Sequence, residues 1–342
     1  MLRRQVLGAS LTAMAVAFAA ASAPAVHAAT PQLRIGTLAP KNSLYHRQLQ
    51  AVGEAWRSAL GGDAKYLIYP DGSQGGEAEM ARRMRIGQLQ GALISVVGLR
   101  EIEPSIAALQ NLPLLFKNWE EVDYVREKMR AGMEKKFFDK GFVVLAWGDS
   151  GWVRFFSKEP AFKPADYLKM KFFAWGAESE QQEIMKSLGY TPVPLETSDI
   201  LPAIQTGMIS VVPATPYFAL ASQIYNTAPN MLEINWAPIV GALVITKKAW
   251  DDMNPSAQQL VRNAGEKAGL AMRTQARQEV DEAVAAMKQR GLVVNKPSPE
   301  QMKEWLALAD KLYPRIRGRM VPADTFDEVF MHLKAFRATP GR

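Results

Sequence analysis

The sequence predicts an α/β protein of two lobes, and two features of the chain indicate this class. Short apolar strands at 33–38, 65–69 and 91–96 alternate with helical patterns, as in a sheet with parallel neighbours. In addition, one helix–glycine–strand pattern occurs twice, at 85–94 and 205–212. Two lobes built on one plan would produce this similarity, although unrelated α/β units can also do so.

The remaining elements of the first half follow from the same periodicities. Ser43 is placed to cap a helix whose apolar residues recur three and four apart. A turn at 70–72 precedes a helix at 77–87, and a helix near 120–138 leads to a strand at 142–146. The chain therefore continues to alternate helix and strand up to the middle of the sequence.

The second half predicts strands at 170–175, 209–212 and 241–245, with helices at 178–188 and from a cap at Ser198 to Gly207. The strand at 241–245 is expected to return the chain to the first lobe. Pro255 then opens a helix of roughly 35 residues, about 50 Å long, which should pass along both lobes. A capping box at 298–301 and a helix at 326–336 complete the chain.

These elements give the expected domain boundaries. Lobe I comprises 29–148 plus about 237–254, lobe II comprises 149–236, and helices in 255–342 pack across both. Residues 1–28 are interpreted as a signal peptide, with Arg3 and Arg4, a short apolar run and small residues before Ala29. The run is about 15 residues, too short for a membrane span. We expect export to the periplasm, by the Sec route rather than by the twin-arginine route, with a retained anchor as the third alternative.

Composition excludes several classes of function. The 342 residues include no cysteine, so disulfides, thiol catalysis and cysteine-ligated metals are excluded. The net charge of +7 is spread over the chain without a basic stripe, which argues against nucleic-acid binding. Beyond the leader only His46 and His332 remain, and no nucleophile elbow or phosphate loop is present. We therefore predict a binding protein with no catalytic residues, cofactor or metal.

Candidate binding residues lie where strands end, because ligands of open α/β sheets bind at the carboxyl edge. Trp175 and Tyr217 each follow a strand directly, and His46 lies at such an edge, where it faces either a pocket or solvent. The glycine-rich segment 72–77 opens a helix and forms either a polar ligand loop or a plain turn. Trp152 and Phe173 are further aromatic residues near strand ends, and this criterion leaves open whether they belong to the core or to the pocket.

The chain resembles, almost end to end, the DctP-type extracytoplasmic solute receptors of tripartite ATP-independent periplasmic (TRAP) transporters. The resemblance rests on six segments: 35–40, 69–77, 84–91, 112–116, 189–194 and 203–207. It implies a periplasmic-binding-protein-like fold of type II with a hinge between the lobes, a ligand enclosed between them, and a membrane permease as partner. A monomer is favoured over a dimer, because the apolar stripe of the long helix can pack against its own chain.

Three departures from the family pattern concern the ligand. Phe173 stands where carboxylate-binding members have an arginine, and Val153 follows Gly-Trp where a second arginine is usual, with Arg154 one place later. Residues 213–216 replace a Gln-Glu-Asn-Pro stretch with Pro-Ala-Thr-Pro. Since an unpaired carboxylate is costly to bury, we expect an apolar or aromatic ligand. Its expected contacts are Phe173, Trp175, Thr215, Tyr217 and Gln74, with His46, Trp152 and Arg154 as further candidates.

Two alternatives remain open from the sequence. One keeps an organic-acid ligand and assigns its carboxylate to Arg154 or Arg100. The other is an envelope carrier of lipids or other hydrophobic ligands that serves no permease, which an oversized apolar cleft would favour.

Overall fold

The computed structural model describes residues 32–61 and 63–339, and eleven strands lie within them. They are β1 (Gln32–Thr37), β2 (Lys65–Tyr69), β3 (Gly91–Ser95), β4 (Phe142–Trp152), β5 (Arg154–Ser157), β6 (Lys171–Trp175), β7 (Thr191–Leu195), β8 (Val211–Ala214), β9 (Asn230–Leu232), β10 (Pro238–Thr246) and β11 (Val293–Asn295). The predicted leader, residues 1–28, lies outside the described residues.

The strands form two sheets, one in each lobe. The first has the order β2-β1-β3-β10-β4, with β1 parallel to β2 and β3, and β10 antiparallel to β3 and β4. The second has the order β11-β9-β5-β8-β6-β7. The prediction that the strand at 241–245 returns to the first lobe is confirmed, since β10 lies between β3 and β4 in that sheet.

The chain crosses between the sheets at two adjacent connections. The N–H of Val153 donates to the carbonyl oxygen of Ala237 (2.8 Å), and the N–H of Trp236 donates to the carbonyl oxygen of Val153 (3.1 Å). β4 stays in the first sheet as far as Trp152, four residues beyond the expected lobe boundary at 148. These paired crossings lie where a hinge between the lobes is expected.

Helices cover both sheets. They are α1 (Leu44–Leu60), α2 (Glu77–Arg85), α3 (Val96–Leu99), α4 (Trp119–Asp139), α5 (Ser179–Ser187), α6 (Ile200–Thr206), α7 (Pro216–Ala221), α8 (Lys247–Asp251), α9 (Pro255–Lys288), α10 (Pro299–Ile316) and α11 (Ala323–Arg337). None of those in the described part of the chain combines the length and apolar character that a membrane crossing requires.

Most of the predicted helix ends are confirmed. Ser43 accepts a hydrogen bond from the N–H of His46, and Ser298 forms the predicted capping box. Gly87 and Gly207 both adopt the left-handed conformation (φ 76°), as the two similar segments require. The predicted cap at Ser198 is wrong: α6 starts after Asp199 without a side-chain cap, and the Ser198 hydroxyl bonds to the Asp199 carboxylate instead.

The long helix α9 passes along both lobes, as predicted. In the first lobe it packs against α1 and β4, and in the second against α7. Met272, Val280 and Met287 of its apolar stripe are buried within the chain. Two glycines bring its backbone close to β4. A β-carbon at Gly265 would lie 2.3 Å from the carbonyl oxygen of Leu145, and a β-carbon at Gly269 would lie 2.7 Å from the carbonyl oxygen of Trp147.

Gly265→Ala is therefore expected to destabilise the protein. Neither the helix backbone nor the strand carbonyl can move freely, so the free energy of unfolding should fall by about 2–3 kcal/mol in chemical denaturation. The matched control is Gly132→Ala on α4, where a β-carbon would meet nothing within 4 Å. It should raise stability by about 0.5–1 kcal/mol through helix propensity. Equal effects at both positions would contradict this packing.

Candidate ligand-binding site

A cavity of about 180 Å³ lies between the two sheets, and we call it the front cavity. The ends of β1, β3, β4 and β10 line it from the first lobe, and β6, β8 and α7 line it from the second. Four of the residues predicted from the sequence line it together: Phe173, Trp175, Thr215 and Tyr217.

The aromatic side of the front cavity is formed by β6. Phe173 is only 2 % exposed and meets Trp175 edge to face, with ring centroids 4.8 Å apart. Phe173 lies on β6, and its ring forms part of the cavity wall. The cavity wall there is apolar, with no hydrogen-bond donor from this side chain.

The neighbouring part of the wall, at the end of β8 and the start of α7, carries hydroxyl groups. Thr215 caps α7, and its Oγ1 accepts from the N–H of Phe218 (3.3 Å). Tyr217 packs edge to face on Tyr45, whose hydroxyl donates to the carbonyl oxygen of Asp149 (2.8 Å). Burial raises the pKa of Tyr45 and of Tyr217, so both phenols stay neutral at physiological pH.

The sequence reasoning missed Glu77, the first residue of α2, whose side chain lines the front cavity. Its carboxylate accepts from the N–H of Ser95 (2.9 Å), the hydroxyl of Ser95 (2.5 Å) and the N–H of Gly98 (3.1 Å). Burial raises the pKa of Glu77, and these three hydrogen bonds oppose that shift. The available signal was an acidic residue at a helix start directly after the glycine-rich segment.

Asp149 is a second acidic residue that the sequence did not single out. It lies near the end of β4 and lines the front cavity, and its carboxylate is fully buried. Arg126 donates to one oxygen (2.6 Å) and Arg277 to the other (2.5 Å). Arg277 also stacks on the ring of Trp119 at 4.4 Å. Both guanidinium groups are therefore committed to protein carboxylates rather than to a ligand.

The charge of the cavity wall follows from these contacts. No arginine, lysine or histidine of the described chain lines the front cavity, whereas Glu77 does. Among the described residues, no group of three or more His, Asp or Glu side chains is placed to hold a metal ion. The front cavity can offer aromatic faces, hydroxyls and a buried carboxylate.

The structure places the other four predicted residues outside the front cavity. Gln74 accepts from Arg83 on α2 (3.0 Å), and the buried His46 accepts the N–H of Asn42 at Nδ1 (3.3 Å). Trp152 packs against Trp119, with ring centroids 4.8 Å apart. Each of these three contacts belongs to a local packing arrangement.

Arg154 also lies away from the front cavity. Its guanidinium pairs with Glu233 at 3.6 Å, and its neighbour Phe155 packs on Tyr167 and Trp305 on the other face of the sheet. Successive residues of a strand face opposite sides, so Arg154 points away from the aromatic cluster that Phe155 joins. Burial lowers the pKa of Arg154, and Glu233 opposes that shift.

Comparison with known proteins places the chain in a family. Residues 35–318 match the DctP family, described as bacterial extracellular solute-binding protein, family 7. The chain belongs to this family.

Similar proteins cover nearly the whole chain. The C4-dicarboxylate-binding periplasmic protein DctP of Rhodobacter capsulatus is 23 % identical over 301 residues, covering 85 % of this chain and 87 % of that protein. The TRAP periplasmic solute-binding protein of Ralstonia eutropha with bound (S)-2-acetolactate superposes with a TM-score of 0.82 at 17 % identity, covering 89 % and 99 % of the two chains. The succinate-bound protein from Shewanella oneidensis gives 0.81 at 16 %, covering 89 % and 100 %. The two-lobed fold is thus that of TRAP solute receptors.

In this DctP-family chain, Arg100 joins the two lobes. It follows α3 of the first lobe, and its Nη2 donates to Glu180 of α5 in the second lobe at 2.7 Å. Its Nη1 lies 3.6 Å from Glu178 at the start of the same helix. The ion pairs between Arg100 and α5 can form only when these parts of the lobes are close, so they favour the closed arrangement.

Arg100→Gln is therefore expected to weaken ligand binding about 3- to 10-fold, since closure loses its interlobe ion pairs. The loss should shrink as salt is raised, because the Glu180 partner is partly exposed. Calorimetric titration of the native solute measures both effects. Lys248→Gln, which breaks the exposed pair with Asp252, is the control and should leave affinity unchanged. A salt-independent loss would contradict the electrostatic explanation.

Proposed function

We propose that this protein is a receptor for a small, uncharged solute with an aromatic or largely apolar body, which it delivers to a TRAP-type membrane permease. The observation that carries the proposal is Phe173 in the wall of a cavity that no basic side chain of the described residues lines. The aromatic or apolar body of the solute packs on Phe173 and Trp175. Thr215, Tyr217 and Glu77 provide its polar contacts.

The energetic argument concerns the ligand's charge. A carboxylate enclosed without a charged partner costs several kcal/mol, and the carboxylate of Glu77 would add repulsion. Arg126 and Arg277 cannot compensate, because both are held by Asp149. Uncharged solutes avoid this penalty and gain from the apolar walls.

The solved proteins that are similar to this one bind organic acids. Measuring whether this protein binds the same acids therefore tests the proposal directly. Their ligands include succinate, D-glucuronate and pyroglutamic acid. In calorimetric titrations we expect these three acids to bind this protein more weakly than about 1 mM, and benzyl alcohol to bind more tightly than each of them. Binding of any of the acids below about 10 μM would overturn the proposal in favour of an organic-acid receptor.

Cavity size bears on the alternative of a lipid carrier. The front cavity of about 180 Å³ is close to the ~150 Å³ that encloses a single benzene molecule. An acyl chain needs a far longer channel, so a small solute fits the front cavity better. The proposal therefore retains the permease as partner.

The proposal also includes the place of action and the assembly. The family description is extracellular, and the similar DctP protein is periplasmic. We place this protein in the periplasm, exported through a cleaved leader by the Sec route. Because the apolar stripe of α9 is buried within its own chain, we propose that the protein acts as a monomer.

A further inference from the structure

A second cavity of about 140 Å³ lies behind Phe173, and we call it the rear cavity. It is bounded by β5 and β6, by α5 and by α10. Phe173, Trp175, Gln110, Pro213 and Ile239 line both cavities, so a single layer of side chains separates them. The rear cavity is therefore an extension of the same interlobe region.

Seven aromatic residues line the rear cavity, together with a larger number of aliphatic and methionine side chains. Phe155 meets Phe172 edge to face at 5.8 Å, and Trp236 meets Trp305 in the same way at 5.7 Å. Aromatic rings prefer such edge-to-face contacts, and a bound ring can extend the cluster. The volume is close to the ~150 Å³ that encloses one benzene molecule. One aromatic ring is thus the size of guest that the rear cavity fits.

Two polar atoms of the rear cavity wall lack hydrogen-bond partners among the described residues. Glu178 is 4 % exposed, and its Oε1 accepts no hydrogen bond from any described residue. Its ion-pair partner, Nη1 of Arg100, lies 3.6 Å away, beyond hydrogen-bond range, and makes no hydrogen bond to a described residue either. Asn111 Nδ2 is likewise buried without an acceptor. Buried polar groups normally have partners, so an open acceptor and an open donor in one cavity indicate a missing polar guest.

We propose that the rear cavity binds a hydroxylated aromatic ring, of the phenol class, as the distal part of the transported solute. The hydroxyl donates to Glu178 Oε1 and accepts from Asn111 Nδ2, while the ring packs on Phe155 and Trp305. This inference rests on the proposed function and deepens it by naming the solute class. Phe173 then stands between the two parts of the site and contacts both.

Other head groups fit less well. Among the described residues no basic side chain lines the rear cavity, and the guanidinium of Arg100 near Glu178 already pairs with Glu178 and Glu180, so a carboxylate there would lack a charged partner. An amine would satisfy Glu178 and leave the Asn111 donor without an acceptor. A purely apolar ring leaves both groups unpaired. Only a group that donates and accepts satisfies both.

The test uses four probes of one shape: p-cresol, toluene, 4-methylbenzylamine and p-toluate. Calorimetric titration of the purified protein should rank p-cresol first, at least about 10-fold tighter than each of the others. Glu178→Met removes the acceptor, so p-cresol should lose its advantage and bind no more tightly than toluene to the same variant; this comparison within one variant cancels the loss of the ion pair with Arg100. Glu183→Gln, on the exposed side of α5, is the control and should bind p-cresol like the unaltered protein.

Met185→Trp fills the rear cavity and provides a second variant that keeps the proposal testable if Glu178→Met does not fold. It should abolish p-cresol binding while leaving the melting temperature within a few degrees. Unchanged p-cresol binding in Met185→Trp would overturn the inference. So would a preference for the amine.

The outcomes separate this inference from the proposed function. If Tyr217→Ala abolishes p-cresol binding and Met185→Trp does not, the ring binds in the front cavity: the inference fails and the uncharged-solute receptor stands. If p-toluate is the best of the four probes, both fail. Loss of p-cresol binding in Met185→Trp and Glu178→Met, with the control unaffected, supports both.

Discussion

Phe173→Arg is expected to weaken binding of the native solute by at least about 100-fold, equivalent to about 2.8 kcal/mol. The ring lines both cavities and is almost completely buried. A guanidinium in its place removes the stacking surface and introduces a charge into an apolar wall. The same change supplies the forked donor that carboxylates require, so affinity for succinate should appear.

Phe173→Leu is the matched control for this experiment. It keeps the wall apolar and removes only the ring, so native-solute affinity should fall about 3- to 10-fold without any gain for succinate. Titration calorimetry of the two variants with the native solute and with succinate measures both effects. Native-solute binding that is unchanged in Phe173→Arg would place this residue outside the site.

Asp149→Asn is expected to lower the free energy of unfolding by about 3–5 kcal/mol, the largest stability effect that we predict. The substitution keeps the shape of the side chain and removes its charge, leaving Arg126 and Arg277 without their buried partner. Chemical denaturation measures the loss.

Asp123→Asn tests whether burial of the ion pair causes the large loss of stability that we expect for Asp149→Asn. Asp123 contacts the same two arginines, but its side chain is 42 % exposed. Its loss should cost about 1 kcal/mol or less, because solvent screens the pair. Equal losses for the two variants would show that pairing with arginine, rather than burial, determines the effect.

The spacing of apolar residues along the sequence predicted the fold well, because it shows directly which positions of a helix or strand are buried. The alternation of strands and helices and the long helix after Asn254 were confirmed. The strand expected at 209–212 begins two residues later, at Val211. Ile209 and Ser210 instead form the connection, where the Ser210 hydroxyl accepts the N–H of Lys171. This shift depends on pairing between distant segments, which local patterns do not encode.

The candidate site was predicted only in part, for a physical reason. Trp175 and Tyr217 follow strands whose ends meet at the cavity, so position along the chain was enough. Arg154 lies on β5, and no residue of this strand lines the front cavity. Glu77 and Asp149 were missed because their burial arises from contacts with Ser95 and with Arg277, remote in sequence. For Glu77 the one local signal was its place at a helix start after the glycine-rich segment, and this does not reveal its burial.

The most direct test of the central claim is mass spectrometry of the small molecule that co-purifies with the protein from its native periplasm. The protein is purified without added solute, denatured, and the released compound identified. We predict an uncharged compound with an aromatic or apolar body, and a ring hydroxyl if the rear cavity is occupied. A short organic acid such as succinate would contradict the account, since within residues 32–61 and 63–339 no basic side chain lines the front cavity to receive it.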